Sequence, residues 1–119
     1  MSAIRGAITL DCDTNRDMRE AVQLLFDEII SKNNLKFKHF SHIIFSCTPD
    51  IKSGNPATEL RAAYSDAACV PLFCVREHVT ESFLPLCVRV LIVCEKKIPK
   101  SKIKHIYLKK AIKLREDLI

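Results

Sequence analysis

Residues 86–94 read Leu-Cys-Val-Arg-Val-Leu-Ile-Val-Cys, an apolar, β-branched run with one arginine, Arg89, near its middle. Such a run predicts a central strand buried inside a sheet. A guanidinium in the middle of a buried strand costs on the order of several kcal/mol unless an anion and hydrogen bonds compensate it. Two readings satisfy that requirement. Arg89 pairs with an internal carboxylate or lies at a sheet edge, or it points into a pocket and receives the carboxylate of a ligand, which its planar fork suits. The chain must therefore build a sheet around this strand and supply a partner for its one charge.

The flanking segments supply the sheet. Ile4–Leu10 predicts a first strand, and Thr14-Asn15-Arg16-Asp17 resembles a capping box at a helix start. Met18, Ala21, Val22, Leu25, Phe26, Ile29 and Ile30 follow at helical spacing, so one apolar face runs to about Lys32, where Asn33-Asn34 stops it. Ser41–Cys47 predicts a second strand, broken at Thr48-Pro49-Asp50. Asn55 can cap and Pro56 can occupy the first turn of a shorter helix through Tyr64. Val70–Val75 predicts a third strand, Leu86–Cys94 the central one, and His105–Leu108 a short last one. The order β-α-β-α-β-β-β implies an α+β domain, a single mixed sheet packed with two helices, spanning residues 1–119.

Composition narrows the function classes. No apolar run approaches the roughly 20 residues of a membrane span, and no charged-then-apolar leader opens the chain, so the expectation is a soluble, unexported, cytoplasmic protein with no membrane partner. The six cysteines mostly sit in or beside apolar runs without a C-x-x-C pair, which reads as free thiols in a reducing compartment rather than disulfides or a zinc site. The net charge of +5 owes much to Lys96, Lys97, Lys100, Lys102, Lys104, Lys109, Lys110 and Lys113. With Tyr107 alone among them as an aromatic, this is a solvated surface or a field for small anions, not a nucleic-acid surface.

Arg5 raises the question of Arg89 again, from the first strand and just before Gly6, whose missing side chain lets the backbone bend or another group approach. Two strand-borne arginines in a basic chain suggest a dianion site. The ordered motifs then resemble the monofunctional trimeric chorismate mutases. These are Ile4-Arg5-Gly6-Ala7-Ile8-Thr9, Ser46-Cys47-Thr48-Pro49-Asp50, and Pro56-Ala57 with Arg61. Val70-Pro71 through Cys74 and Glu77, Leu84-Pro85-Leu86-Cys87-Val88-Arg89-Val90, His105-Ile106-Tyr107-Leu108 and Leu114-Arg115-Glu116-Asp117-Leu118 continue the series over nearly the whole chain.

The resemblance implies a homotrimer, a pseudo α/β-barrel with sites in the clefts between subunits, that converts chorismate to prephenate without a cofactor or metal. It implies that Arg89 donates to the ether oxygen and a substrate carboxylate, that Arg5 binds the enolpyruvyl carboxylate with Tyr107, and that Glu77 accepts from the ring hydroxyl with Cys74 nearby. Arg61 and Arg115 would add charge at the mouth, and Leu114, Ala57, Phe73 and Thr58 would complete the substrate contacts. His78 and His105 would be structural or exposed, because the reaction needs no proton shuttle.

The chain departs from the pattern at Asn55 and Thr58, where an aromatic and a basic residue are usual, which predicts weaker substrate binding. Glu81-Ser82-Phe83 replaces a glycine-containing turn, and the end at Ile119 predicts a more open cleft. The competing reading is a non-catalytic trimer that binds a small anionic metabolite in the same cleft.

Overall fold

The computed structural model describes residues 1–118, with side chains through residue 115. The elements are β1 (Ser2–Thr9), α1 (Asn15–Asn33), β2 (Phe40–Cys47), α2 (Pro56–Ala63), β3 (Leu72–Arg76), β4 (Cys87–Cys94) and β5 (Ile106–Tyr107). Short 3-10 turns join them, and a longer 3-10 segment, Lys109–Leu118, follows β5. The strands form one mixed sheet in the order β3-β2-β4-β1-β5, with β4 antiparallel to both neighbours and both edge strands parallel to theirs. The expected order of elements and the central place of Leu86–Cys94 are both observed.

Local chemistry explains the helix limits. Thr14 is the N-cap of α1, and its hydroxyl accepts from the Asp17 amide. The Asp17 carboxylate accepts from the Cys12 amide at 2.8 Å instead of closing a reciprocal box on Thr14, so the cap also ties down the β1–α1 loop. Asn34 ends the helix in the left-handed region at φ 52°, which asparagine tolerates. For α2, Asn55 Oδ1 accepts from the amides of Ala57 and Thr58, and Pro56 occupies the first turn.

The apolar stripe of α1 packs on one face of the sheet. Met18, Val22, Leu25, Phe26 and Ile29 meet Ile4, Ile8, Ile43, Phe45, Val88 and Ile92, all fully buried. Gly6 permits this approach: a Cβ there would lie 3.1 Å from both Ile29 Cδ1 and Val90 Cγ1. The helices are joined by an ion pair from Arg19 Nε to the buried Glu59 at 2.7 Å and by the Tyr64 hydroxyl, which bonds the Gln23 carbonyl and Asp27.

Arg89 does not lie in the core as its apolar neighbours suggested. Val88, Val90 and Ile92 point to the helices, whereas Arg89 and Leu91 point to the opposite face, which carries neither α1 nor α2, and both are exposed. Period-two alternation separates them, and the run is apolar on both faces because the second face is apolar too.

The entry to β4 is held from the β2–α2 loop. Leu86 sits at φ 51°, a conformation that a branched, non-glycine residue avoids. Its amide donates to Asp50 Oδ2 at 2.9 Å, its carbonyl accepts from the Leu10 amide at 2.8 Å, and the next amide, Cys87, donates to Thr48 Oγ1 at 3.0 Å. The Thr48-Pro49-Asp50 segment thus fixes the strand that carries Arg89.

All six cysteines are free, with Cys47, Cys87 and Cys94 buried. Among the described residues no helix is long and apolar enough to cross a membrane.

Replacing Gly6 with valine forces Ile29 and Val90 off their packing positions. The expected loss of unfolding free energy is about 1–3 kcal/mol, measured by urea denaturation.

Candidate active site

The helix-free face is organised in rows set by the strand registers. Val75, Ser46, Arg89, Ala7 and Tyr107 lie side by side across all five strands, and Phe73, Ile44, Leu91 and Arg5 form the adjacent row. Neighbours within a row stand about 5 Å apart, which brings diagonal long side chains within mutual reach. Arg5 and Arg89 are such a diagonal pair. Together with Tyr107 and Arg115 they line a cavity of about 370 Å³, walled by Ile44, Ser46, Val90 and Leu91.

Three of these groups come from strands and one from the tail. After β5 the chain turns through Lys109 at φ 54° and folds back over β1. Leu114 and Tyr107 pack there against a small apolar cluster of Ala7, Cys87 and Ala111. Arg115 rests on Tyr107, its guanidinium carbon 5.9 Å from the ring centroid, in a cation–π contact. Arg115 Nε is buried and has no hydrogen-bond partner among the described residues. Leu114 therefore supports the cavity wall from behind rather than lining the cavity.

Glu77 supplies the internal counter-ion of Arg89. It continues the alternation of β3 one residue past its end, held by its amide to the Cys47 carbonyl at 2.8 Å. Its carboxylate Oε1 accepts from Arg89 Nε at 2.9 Å and from Ser46 Oγ at 2.9 Å. Arg89 thus has a carboxylate partner within the chain, the first of the two readings that its place in the strand allowed. The Arg89 side chain remains 45% exposed, and the cavity side of its guanidinium is open. Arg5, Arg89 and Arg115 against Glu77 leave two net positive charges around the cavity, which suits a dianion.

His105 serves the sheet. Its Nδ1 accepts from the Arg5 amide at 3.0 Å, extending the pairing of β1 beyond β5 and steadying Arg5. Burial first, then the charges of Arg5 and Arg115, lower its pKa, so it stays neutral at pH 7. Its expected structural role accords with this geometry. His78 is exposed, also as expected.

The remaining residues singled out in the sequence form a second group. Thr58 and Arg61 are exposed on α2, and Ala57 is buried beneath them. Phe73 and Cys74 lie on the edge strand β3, and Phe73 is 65% exposed. Cys74 is in register with Phe45 and so faces the helix side, away from Glu77 and Arg89. It borders a cavity of about 200 Å³ with Cys47, Gly54 and Asn55. The β3 edge is two strands, about 10 Å, from β4. Within one chain, Ala57, Thr58, Arg61 and Cys74 therefore do not join the arginine cavity. Ser46 stood in the sequence only as part of a motif with no role of its own; the registers place it between Val75 and Arg89.

The two thiols at the smaller cavity are unequal. A hydrogen bond from Cys47 lowers the Cys74 thiol to about 7 against an opposing effect of burial, while the same bond and burial push Cys47 up. Cys87, beside Arg89, is pushed up to about 11, mainly by burial. The lysine-rich stretch 96–104 is exposed on the β4–β5 connection, beside Lys36 and Lys38, and Glu95 joins it to the His39 carbonyl through its amide at 2.9 Å.

Comparison with known proteins decides the family. The family model for chorismate mutase type I matches residues 1–118. The chain belongs to the type I chorismate mutase family. It is similar to chorismate mutase AroH of Bacillus subtilis (strain 168), 33% identical over 115 residues that cover 97% of this chain and 90% of that protein. It is equally similar to chorismate mutase AroH of Thermus thermophilus, 33% identical over 116 residues, covering 97% and 93%. A solved chorismate mutase from Clostridium thermocellum superposes with a TM-score of 0.88 at 32% identity, covering 93% of this chain and 97% of that one. In this type I chorismate mutase sheet, the family's ordered motifs fall on β1, the β2–α2 loop, the end of β3, β4 and β5.

Cys74 is expected to be carboxymethylated with a midpoint near pH 7 in peptide-resolved iodoacetate labelling. Cys47→Ala removes the donated hydrogen bond, and the midpoint should then move upward toward that of an ordinary thiol.

Proposed function

We propose that this protein is a chorismate mutase, an isomerase that rearranges chorismate to prephenate, and that the arginine cavity holds the substrate. The observation that carries the reading is the union of Arg5, Arg89, Tyr107 and Arg115 around one cavity, with Glu77 locked beside Arg89. The family and its named relatives support the chemistry, and the size and charge of the cavity support locating it there.

The rearrangement is unimolecular, so the protein has to select a compact conformer of a flexible dianion and stabilise charge as the C–O bond breaks. Negative charge grows on the ether oxygen. A cation fixed beside that oxygen binds the transition state more strongly than the ground state. In this reading Arg89 is that cation. Its Nε bond to Glu77 orients the guanidinium, and its terminal nitrogens face the ether oxygen and a carboxylate. Arg5 binds the enolpyruvyl carboxylate with the Tyr107 hydroxyl, and Glu77 accepts from the ring hydroxyl through the oxygen that Arg89 does not occupy. Arg115, whose buried Nε has no hydrogen-bond partner among the described residues, adds charge on the ring-carboxylate side.

The division of the site residues supports an assembly. The helix-free face exposes Phe73, Val75 and Leu91, a pattern that a second chain would cover. The group on α2 and β3, comprising Ala57, Thr58, Arg61, Phe73 and Cys74, would then close the cleft of a neighbouring subunit rather than its own. This pattern supports a homotrimer with sites between subunits, in which Arg61 adds charge at the mouth and Thr58 contributes a hydroxyl. Asn55 is engaged by its helix cap, so its contribution to the cleft is limited to backbone and position.

Purified protein should consume chorismate, followed by loss of its absorbance and appearance of prephenate. Absence of turnover above the uncatalysed rate in folded protein would sink the reading. Arg89→Ala should lower kcat by roughly 10²–10³-fold, as loss of a transition-state donor does. A neutral citrulline at the same position should retain the shape but not the rate. Sedimentation should show a particle three times the 13.5 kDa chain, and a stable active monomer would contradict the shared cleft.

A further inference from the structure

We infer that Ser46 is a positioning residue for the proposed reaction, acting through Glu77 to keep the Arg89 fork available to the substrate. The inference rests on the mutase reading of the arginine cavity. Ser46 lies on β2, in register with Val75 on one side and Arg89 on the other, and it borders the cavity. Its hydroxyl donates to Glu77 Oε1 at 2.9 Å, the same oxygen that accepts from Arg89 Nε at 2.9 Å.

Two donors from adjacent strands thus grip one oxygen. Arginine and carboxylate otherwise favour a bidentate pair that uses two nitrogens and both oxygens. The Glu77 backbone is tied to β2 through its amide, but its flexible side chain can still turn about its own torsions, so Arg89 alone would not prevent that rotation. Ser46 holds Oε1 over β2, which restricts Glu77 to the Nε edge of Arg89. The terminal nitrogens of Arg89 then stay free for an anion, and Glu77 Oε2 stays free for a hydroxyl. Only a short side chain fits the task, because neighbours in this row stand about 5 Å apart.

The test compares wild type, Ser46→Ala, Ser46→Thr, Glu77→Gln and the Ser46→Ala/Glu77→Gln pair in steady-state chorismate turnover, with thermal unfolding as a fold control. Ser46→Ala is expected to lower kcat about tenfold, the effect of one hydrogen bond to a charged acceptor, with KM changed much less. Ser46→Thr, which keeps the hydroxyl, should recover most of the rate. The double variant should be no slower than Glu77→Gln, because the serine acts only through the carboxylate. Unchanged kcat in Ser46→Ala, a Thr variant as slow as the Ala variant, or multiplicative losses in the double variant would overturn the positioning role while wild-type turnover stands. An inactive wild type would overturn the mutase reading itself and the inference with it.

Discussion

The alternation of one strand organises this protein. β4 lies at the middle of the sheet, and its successive residues face opposite sides. Val88, Val90 and Ile92 anchor the helices, while Arg89 and Leu91 look out on a face without helices. Every other feature of the site refers to that division. The core holds β4 in place from one side, Thr48 and Asp50 hold its start, and the arginine it carries is delivered to the other side at a fixed height.

A cation on a sheet face is positioned more rigidly than one on a loop, since the ladder restrains its backbone on both flanks. Here β1 restrains Arg5 in the same way, with His105 extending the pairing by a ring nitrogen. Arg115 alone comes from an irregular segment, and it is braced by Tyr107 and the small apolar cluster of Ala7, Cys87 and Ala111. The ion pair between Arg89 and Glu77 adds orientation more than stability, because both groups keep contact with solvent. Electrostatic preorganisation of this kind suits a reaction in which charge moves but no proton must.

The bare face has a cost that a single chain does not resolve. Phe73, Val75 and Leu91 are exposed around the charged cavity, so apolar area stays in water unless another surface covers it. The residues on α2 and Cys74 face away from the arginine cavity, Phe73 stands at the far edge of its sheet face, and this divergence makes the shared cleft an economical reading of the whole pattern. The departures at Asn55 and Thr58 belong to that outer group. Asn55 caps α2, which accounts for its side chain locally, and the first turn of α2 loses nothing by the change.

Much of the fold was legible in the sequence, for physical reasons that are local. Thr14 and Asn55 as caps, Asn34 as a stop and the stripe from Met18 to Ile29 depend on near neighbours, so the helices could be read directly. The strands could be read from apolar runs, and the motifs around Arg5, Glu77 and Arg89 pointed to an anion site. Direction could not be read. The run around Arg89 is apolar on both sides, so its sequence does not reveal which side meets the helices or that the arginine faces out. Nor could it tell which of Cys74 and Glu77, on opposite faces three residues apart, meets the arginine, or bring Ser46 beneath the carboxylate. Those are matters of register, and register is set by strands far apart in the chain. The sequence by itself determined which elements form and which charges the site would use; tertiary structure decided which charges meet, because only the paired strands give each side chain a face and a neighbour.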